Sequence, residues 1–195
     1  MCNPVILTFQ TYIGGILARV PSWHWAVIVL ISSILTVSLL LRKRTPVYGA
    51  VVLGITVFVG LLLLDTALLI RFSYVHPHAT GTVLRLDPGR LFHAGYRRQV
   101  ERLSNLAVFV PFGFFLSEFL SSLGRLGFWR QLGRVTLASF GLSLSIECLQ
   151  LILGVGFFEV ADLVMNTLGG FVGAGVAMVG RRVVCRGKSE NVVNY

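Results

Sequence analysis

Charged residues are scarce in this chain: Asp, Glu, Lys and Arg together make up 13% of its 195 residues. A soluble domain of this size would carry about a quarter of its residues as charges. Hydrophobic residues account for 55% of the sequence. The composition therefore indicates a membrane protein, and the length allows one compact unit over residues 1–195 rather than several domains.

Acidic residues are the scarcer of the two charge signs, with 8 Asp and Glu against 17 Lys and Arg, which gives a formal net charge of +9. The basic residues flank apolar runs and do not line one face, which argues against a nucleic-acid partner. Cys2, Cys148 and Cys185 form neither a Cys-x-x-Cys pair nor an even framework. The sequence therefore indicates no zinc site and no disulfide scaffold, and we expect no cofactor.

Long hydrophobic runs dominate what is present, and a bilayer-spanning helix needs about 20 such residues. The five runs are 24–41, 47–70, 105–123, 132–153 and 163–180. Residues 4–20 are shorter and more polar, and we interpret them as an interfacial or re-entrant helix, with a sixth span as the alternative. The predicted fold is an all-α, polytopic membrane bundle of five transmembrane helices plus this short helix.

One long connection, residues 71–104, joins the second and third spans. Prolines and glycines mark its first part as loop. Residues 96–104 lack both and can extend the third helix outward. His76, His78 and His93 lie in this connection, but we interpret them as parts of a solvated loop rather than as a metal site.

The placement of Lys and Arg predicts the orientation of the chain. The N-terminus and the 71–104 and 154–162 loops contain seven arginines, whereas the 42–46 and 124–131 loops, the start of the fourth span and the tail contain ten Lys and Arg. Most acidic residues fall on the first side. The second side is therefore predicted to be cytoplasmic, together with the C-terminus and a flexible tail at residues 183–195.

Polar and ionisable side chains recur at one end of the last three spans. Glu147 and Gln150 share a helix face at a spacing of three, and Asp162 and Asn166 share one at a spacing of four. Asn105 opens the third span. Because an ionisable residue inside a membrane is costly, it is a hint of function. We predict that these five residues form a shared polar pocket just under the outer surface.

Four neighbouring residues fit the same pocket. Ser143 shares the face of Glu147, Asp65 lies near the outer end of the second span, and Arg98 and Arg102 form a stripe with Asn105 if the third helix extends upstream. Taken singly, each polar residue is explained as well by helix capping or by pairing with an arginine. The common depth of the set favours the pocket.

Small residues and one proline are interpreted as packing features. Glycines at a spacing of four let two helices approach closely, within one chain or in a homo-oligomer. Pro111 removes a backbone donor and, with Gly113, predicts a kink in the third span. Glu118, in the inner half of that span, pairs with Arg125 or reaches the cytoplasmic surface, and we assign it no function. The small residues of the fifth span are Gly169, Gly170, Gly173 and Ala177.

Three segments together resemble the VanZ-like family of bacterial membrane proteins. They are N-LAVFV-P-F-G at 105–113, SLSIECLQ ending at Gln150, and DLVMNTLGG at 162–170, and they match within residues 98–180. The resemblance implies an integral protein of the bacterial cytoplasmic membrane that is linked to resistance to glycopeptide antibiotics such as teicoplanin. It implies no settled biochemical mechanism.

One position departs from the family pattern. Family members usually carry an arginine six residues before the aspartate, where this chain has Gly156. Arg98 or Arg102 is our candidate for the cation that takes its place. The family's motif positions fall here on Asn105, Pro111, Gly113, Glu147, Gln150, Asp162, Asn166, Gly169 and Gly170.

Three functions are open at this point. The first, which we favour, is an outward pocket that binds a lipid headgroup, a lipid-linked cell-wall precursor or a lipid-tailed antibiotic, with arginine suited to phosphate. The second is an intramembrane enzyme acting on an envelope lipid, with Glu147 as general acid or base beside an ionised Asp162. The sequence contains no recognisable nucleophile motif for it. A transporter ranks last, because the polar set lies near one surface and no repeat is visible.

Overall fold

The computed structural model describes residues 21–41, 46–74, 84–85, 96–124, 126–153 and 158–193. Five of its helices contain a stretch long and apolar enough to cross a membrane, which confirms the all-α polytopic bundle. Residues 4–20 and the three loop histidines lie outside this part of the chain. The elements are α1 Ser22–Leu41, α2 Val47–Tyr74, β1 Leu84–Arg85, α3 Tyr96–Ser122, α4 Phe128–Ile152, β2 Phe158–Glu159 and α5 Val160–Val193.

Two helices extend well beyond the apolar runs that predict them. α3 begins at Tyr96, so the segment upstream of Asn105 is helical as its lack of Gly and Pro suggests. α5 continues to Val193 and takes in most of residues 183–195. No proline occurs between these bounds to stop it. The flexibility and cytoplasmic location of that segment stay predictions.

The most extensive helix contact joins α3 and α5. A methyl group added at Gly169 would collide with the backbone oxygen of Leu106, and one added at Gly173 with that of Val110. Both contacts advance in the same direction along the two helices, so α3 and α5 run parallel. Glycine is required at these positions because the two backbones touch.

Gly113 and Gly170 complete this contact. A Cβ on Gly113 would meet the backbone of Gly170, and a Cβ on Gly170 would meet the side chain of Ser139 in α4. Pro111 is exposed and lies inside an uninterrupted α3, and the kink stays a prediction. These glycines thus pack against other helices of the same chain. The homo-oligomer stays a prediction.

α4 and α2 complete the central bundle. α4 runs antiparallel to α5, and Leu132 and Val135 pack with Ala174 and Met178 in one hydrophobic cluster. α2 adds a second cluster, in which its Leu63 packs with residues of α3 and α4. α1 packs chiefly on α2 at the edge of the bundle.

A two-residue ladder joins the α2–α3 connection to the α4–α5 connection at one end of the bundle. β1 pairs in parallel with β2, and Leu84 and Arg85 lie opposite Phe158 and Glu159. We call this end, where α3 and α5 begin and α4 ends, the β end. The ladder is a feature that the sequence does not predict, and it places Glu159 next to the polar residues of α4.

Candidate functional site

The antiparallel register of α4 and α5 sets the levels of the polar residues. Asn166 Nδ2 donates a hydrogen bond of 2.9 Å to Ser143 Oγ across the two helices. One helical turn further towards the β end, the same register brings Glu147 opposite Asp162. The two carboxylates predicted to share a pocket therefore lie at one depth.

Glu147 is the most deeply buried acidic side chain of this group, at 2% exposure. Its Oε2 accepts a hydrogen bond of 3.0 Å from the backbone N–H of Glu159 in β2. Glu147 therefore fixes the β ladder over the end of the bundle.

Gln150 connects α4 to α2. Its Nε2 donates a 3.1 Å hydrogen bond to the carbonyl of Ala67, and the side chain is 4% exposed. Its Oε1 is buried and has no hydrogen-bond partner in the described part of the chain. The amide is thus held by its nitrogen and presents an unpaired oxygen.

Asn166 shows the same pattern one helix away. Its nitrogen is held by Ser143, the side chain is 6% exposed, and Oδ1 is buried with no partner among the described residues. An unpaired buried polar group costs about 1–3 kcal/mol. Two such oxygens on either side of the level of Glu147 identify this cluster as a candidate binding site.

Arg102 supplies a buried cation at this end, with an exposure of 8%. The parallel contact of Leu106 with Gly169 places Arg102 one turn nearer the β end, at about the level of Asn166. Arg98 lies one further turn along α3, and its side chain is outside the described residues. Of the two arginines proposed for the missing family cation, Arg102 is the one seen to be buried.

Asn105 and Asp162 enter the cluster differently. Asp162 is half-buried in the first turn of α5, where the helix dipole favours an acidic side chain. Asn105 is half-buried in α3, and its side chain forms no hydrogen bond within the described part of the chain. The hydrogen bonds of the cluster therefore join α2, α4, α5 and β2, and Asn105 does not take part in them.

One histidine near the β end is not identified from the sequence. His24 Nδ1 lies 2.5 Å from Asp65 Oδ1 and links α1 to α2. Asp65 Oδ2 is buried and unpartnered among the described residues. His24 and Asp65 lie at similar sequence distances on either side of the α1–α2 connection. Antiparallel packing of the two helices therefore brings them together, and this spacing is the sequence signal for their contact.

Glu118 belongs to a second polar cluster at the end opposite the β end. It forms a 3.0 Å ion pair with Arg181 and accepts a 2.8 Å hydrogen bond from Tyr48. Gln131 donates to the carbonyl and hydroxyl oxygens of Ser117 beside it. Arg181 is a partner that the sequence does not predict, and the predicted partner, Arg125, lies outside the described residues. Every polar side chain of this second cluster has a partner, whereas Asp65 Oδ2, Gln150 Oε1 and Asn166 Oδ1 at the β end have none among the described residues.

No group of three or more His, Cys, Asp or Glu side chains within the described ranges is arranged to hold a metal ion. The cluster contains the carboxylate of Glu147 and two amide oxygens, and the guanidinium of Arg102 is buried at about the same depth. Fold and site together define a class: a polytopic helical membrane protein with a buried polar cluster at one end of its bundle.

A model of the VanZ/LLP1 family matches residues 24–181, and the chain belongs to this family. The match starts upstream of the 98–180 segment that carries the motif resemblance. Protein VanZ of Enterococcus faecium is 28% identical over 95 residues, which are 49% of this chain and 55% of that protein. The chain thus spans about half the length of this curated relative. No solved structure matches it.

Proposed function

We propose that this protein lies in the bacterial cytoplasmic membrane and binds the headgroup of an envelope lipid or lipid-linked cell-wall precursor at its β end. Through this binding it modulates resistance to glycopeptide antibiotics of the teicoplanin type. The resistance part of the proposal comes from the family resemblance, and the binding part comes from the polar cluster around Glu147.

The observation that carries the proposal is the pair of unpartnered oxygens on Gln150 and Asn166. Both side chains are more than nine-tenths buried and are anchored through their nitrogens. Buried polar groups in proteins are normally paired. A headgroup that bonds to these oxygens would remove the penalty, and the bound state would gain that stability.

Arg102 gives the site a means to hold phosphate. Its planar guanidinium can donate two parallel hydrogen bonds to a phosphate group. It lies on α3 at about the level of Asn166, and both α3 and α4 pack against α5. Phosphate links the headgroup to the tail in most envelope lipids, so a cation beside neutral acceptors fits that class.

The orientation follows from the basic residues at the opposite end. Arg130, Arg134 and Arg182 are exposed there, close to where α4 begins and the membrane-spanning part of α5 ends. Positive charge near the ends of spans favours the cytoplasmic side. The β end then faces outward, where wall precursors and glycopeptides meet.

Photo-crosslinking tests the binding. The probe is a polyprenyl diphosphate-linked disaccharide with a diazirine, presented in vesicles that contain the full-length protein. We expect Glu147→Gln and Asn166→Leu each to reduce labelling by roughly fivefold or more, since a hydrogen bond contributes about 1 kcal/mol or more. Ser145→Ala, an exposed change on the same helix, is the matched control and should label like the wild type.

Equal labelling of the wild type and of a Glu147→Gln, Asn166→Leu double variant would contradict the proposal. The same vesicles separate binding from catalysis, which is the alternative function. Recovery of the unlabelled lipid intact after prolonged incubation supports a binding protein. Conversion of that lipid, abolished by Glu147→Gln, would show instead that the cluster is a catalytic centre.

A further inference from the structure

All the buried side-chain atoms without a partner in the described residues are oxygens. They belong to Asp65, Gln150 and Asn166, and all three lie in the half of the bundle next to the β end. No buried side-chain nitrogen of the described residues lacks a partner. The unmet hydrogen-bonding capacity at this end is therefore purely that of acceptors.

The amide nitrogens show why the oxygens are left without a partner. Gln150 Nε2 is engaged by the carbonyl of Ala67, and Asn166 Nδ2 by Ser143 Oγ. Each contact fixes the amide so that its oxygen points away from the anchoring helix atom. A ligand that meets these two side chains must supply N–H or O–H donors.

The separation of the two amides limits the ligand further. Gln150 lies seven residues along α4 from Ser143, the anchor of Asn166. At 1.5 Å per residue, the two levels are about 10 Å apart along the helix. One ammonium group matches only one of these levels, whereas hydroxyls distributed along two linked sugar rings span both.

We propose that the group recognised between Gln150 and Asn166 is a hydroxyl-rich glycosyl headgroup about two sugar rings long. This inference rests on the proposed function, because it specifies the chemistry of the headgroup bound at the same site. The two amide oxygens accept hydrogen bonds from sugar hydroxyls. Glu147 lies between their levels and holds the β ladder over the bound sugars.

Competition among lipids that differ only in the headgroup tests the inference. Diglucosyl-diacylglycerol, monoglucosyl-diacylglycerol, phosphatidylethanolamine and phosphatidylcholine, all with the same acyl chains, compete with the diazirine probe. One net hydrogen bond corresponds to roughly a fivefold change in affinity. We expect the diglucosyl lipid to compete about fivefold better than the monoglucosyl lipid, since neither carries a phosphate that Arg102 could hold. Of the two phospholipids, phosphatidylcholine, which has no headgroup donor, should compete less than phosphatidylethanolamine.

Variants then connect the preference to the two oxygens. Gln150→Met and Asn166→Leu keep side-chain volume but remove the acceptor. Each should reduce the advantage of the diglucosyl over the monoglucosyl lipid to less than twofold, and Ser145→Ala should preserve it. Thermal unfolding in detergent reports whether each variant is folded, and Asn166→Ser is the second substitution at that position if the leucine variant is not.

The results separate this inference from the proposed function. Probe labelling that depends on Glu147 but is displaced equally by the monoglucosyl and diglucosyl lipids would overturn the glycosyl assignment alone. Better competition by phosphatidylethanolamine than by either glycolipid, with phosphatidylcholine competing no better than the glycolipids, would also overturn it, in favour of an ammonium. Absence of site-dependent labelling altogether would contradict the proposed function as well.

Discussion

At the residue scale, the two ends of the bundle differ in how completely the polar side chains are hydrogen-bonded. Around Glu118, each donor meets an acceptor: Tyr48, Arg181 and Gln131 all bond to oxygens of α3. Around Glu147, Gln150 and Asn166 keep unpaired oxygens. Because an unpaired group is destabilising, a satisfied network indicates a structural role and an unsatisfied one indicates binding.

The Glu118–Arg181 pair is predicted to stabilise the fold without affecting labelling at the β end. Glu118→Gln and Arg181→Met should each lower the free energy of unfolding by about 1 kcal/mol, because each removes an ion pair whose partners are only partly buried. The double variant should lose less than the sum of the two, as for residues in direct contact. Denaturant titration in detergent gives the three values, and strictly additive losses would contradict the pairing.

At the element scale, the position of the site depends on how closely α3 and α5 approach. Gly113, Gly169 and Gly173 allow backbone contact between these parallel helices, and this contact sets the level of Arg102 against Asn166. Small residues at such spacing are the usual means of close approach in membranes. A change of register by one turn would move the cation away from the polar cluster.

Two glycines of α5 give a matched test of this contact. Gly173→Ala should destabilise the protein by roughly 1–3 kcal/mol, because its methyl group would overlap the backbone of Val110. Gly175→Ala should be neutral or slightly stabilising, since nothing lies within 4 Å of the added methyl group. Thermal unfolding of both variants checks the difference, and equal midpoints would contradict the described packing.

The elements themselves are predictable from the sequence, whereas their contacts are not. Apolar runs predict five helices because a backbone in lipid must satisfy its own hydrogen bonds. The spacing of Asp162 and Asn166 likewise predicts a common face. The partners of Gln150 and Glu147, by contrast, are a carbonyl of α2 and an N–H of β2. Backbone partners carry no side-chain signal, and a two-residue ladder such as β1–β2 has no recognisable pattern.

At the scale of the whole molecule, recognition of an envelope ligand at the β end requires that this end face outward. Exposed arginines cluster at the opposite end, which is the arrangement expected for the cytoplasmic side. His24 and Asp65 add a further tie near the β end, so α1 also contributes to its framework. A headgroup bound there would approach from the outer leaflet.

The most direct test of the account is a crystal structure of the full chain grown in a lipid phase supplemented with the diglucosyl lipid. We predict density for sugar rings with hydroxyls within about 3 Å of Gln150 Oε1 and Asn166 Oδ1. A map in which these oxygens meet only ordered water, or in which both side chains point into the acyl chains, would contradict the account.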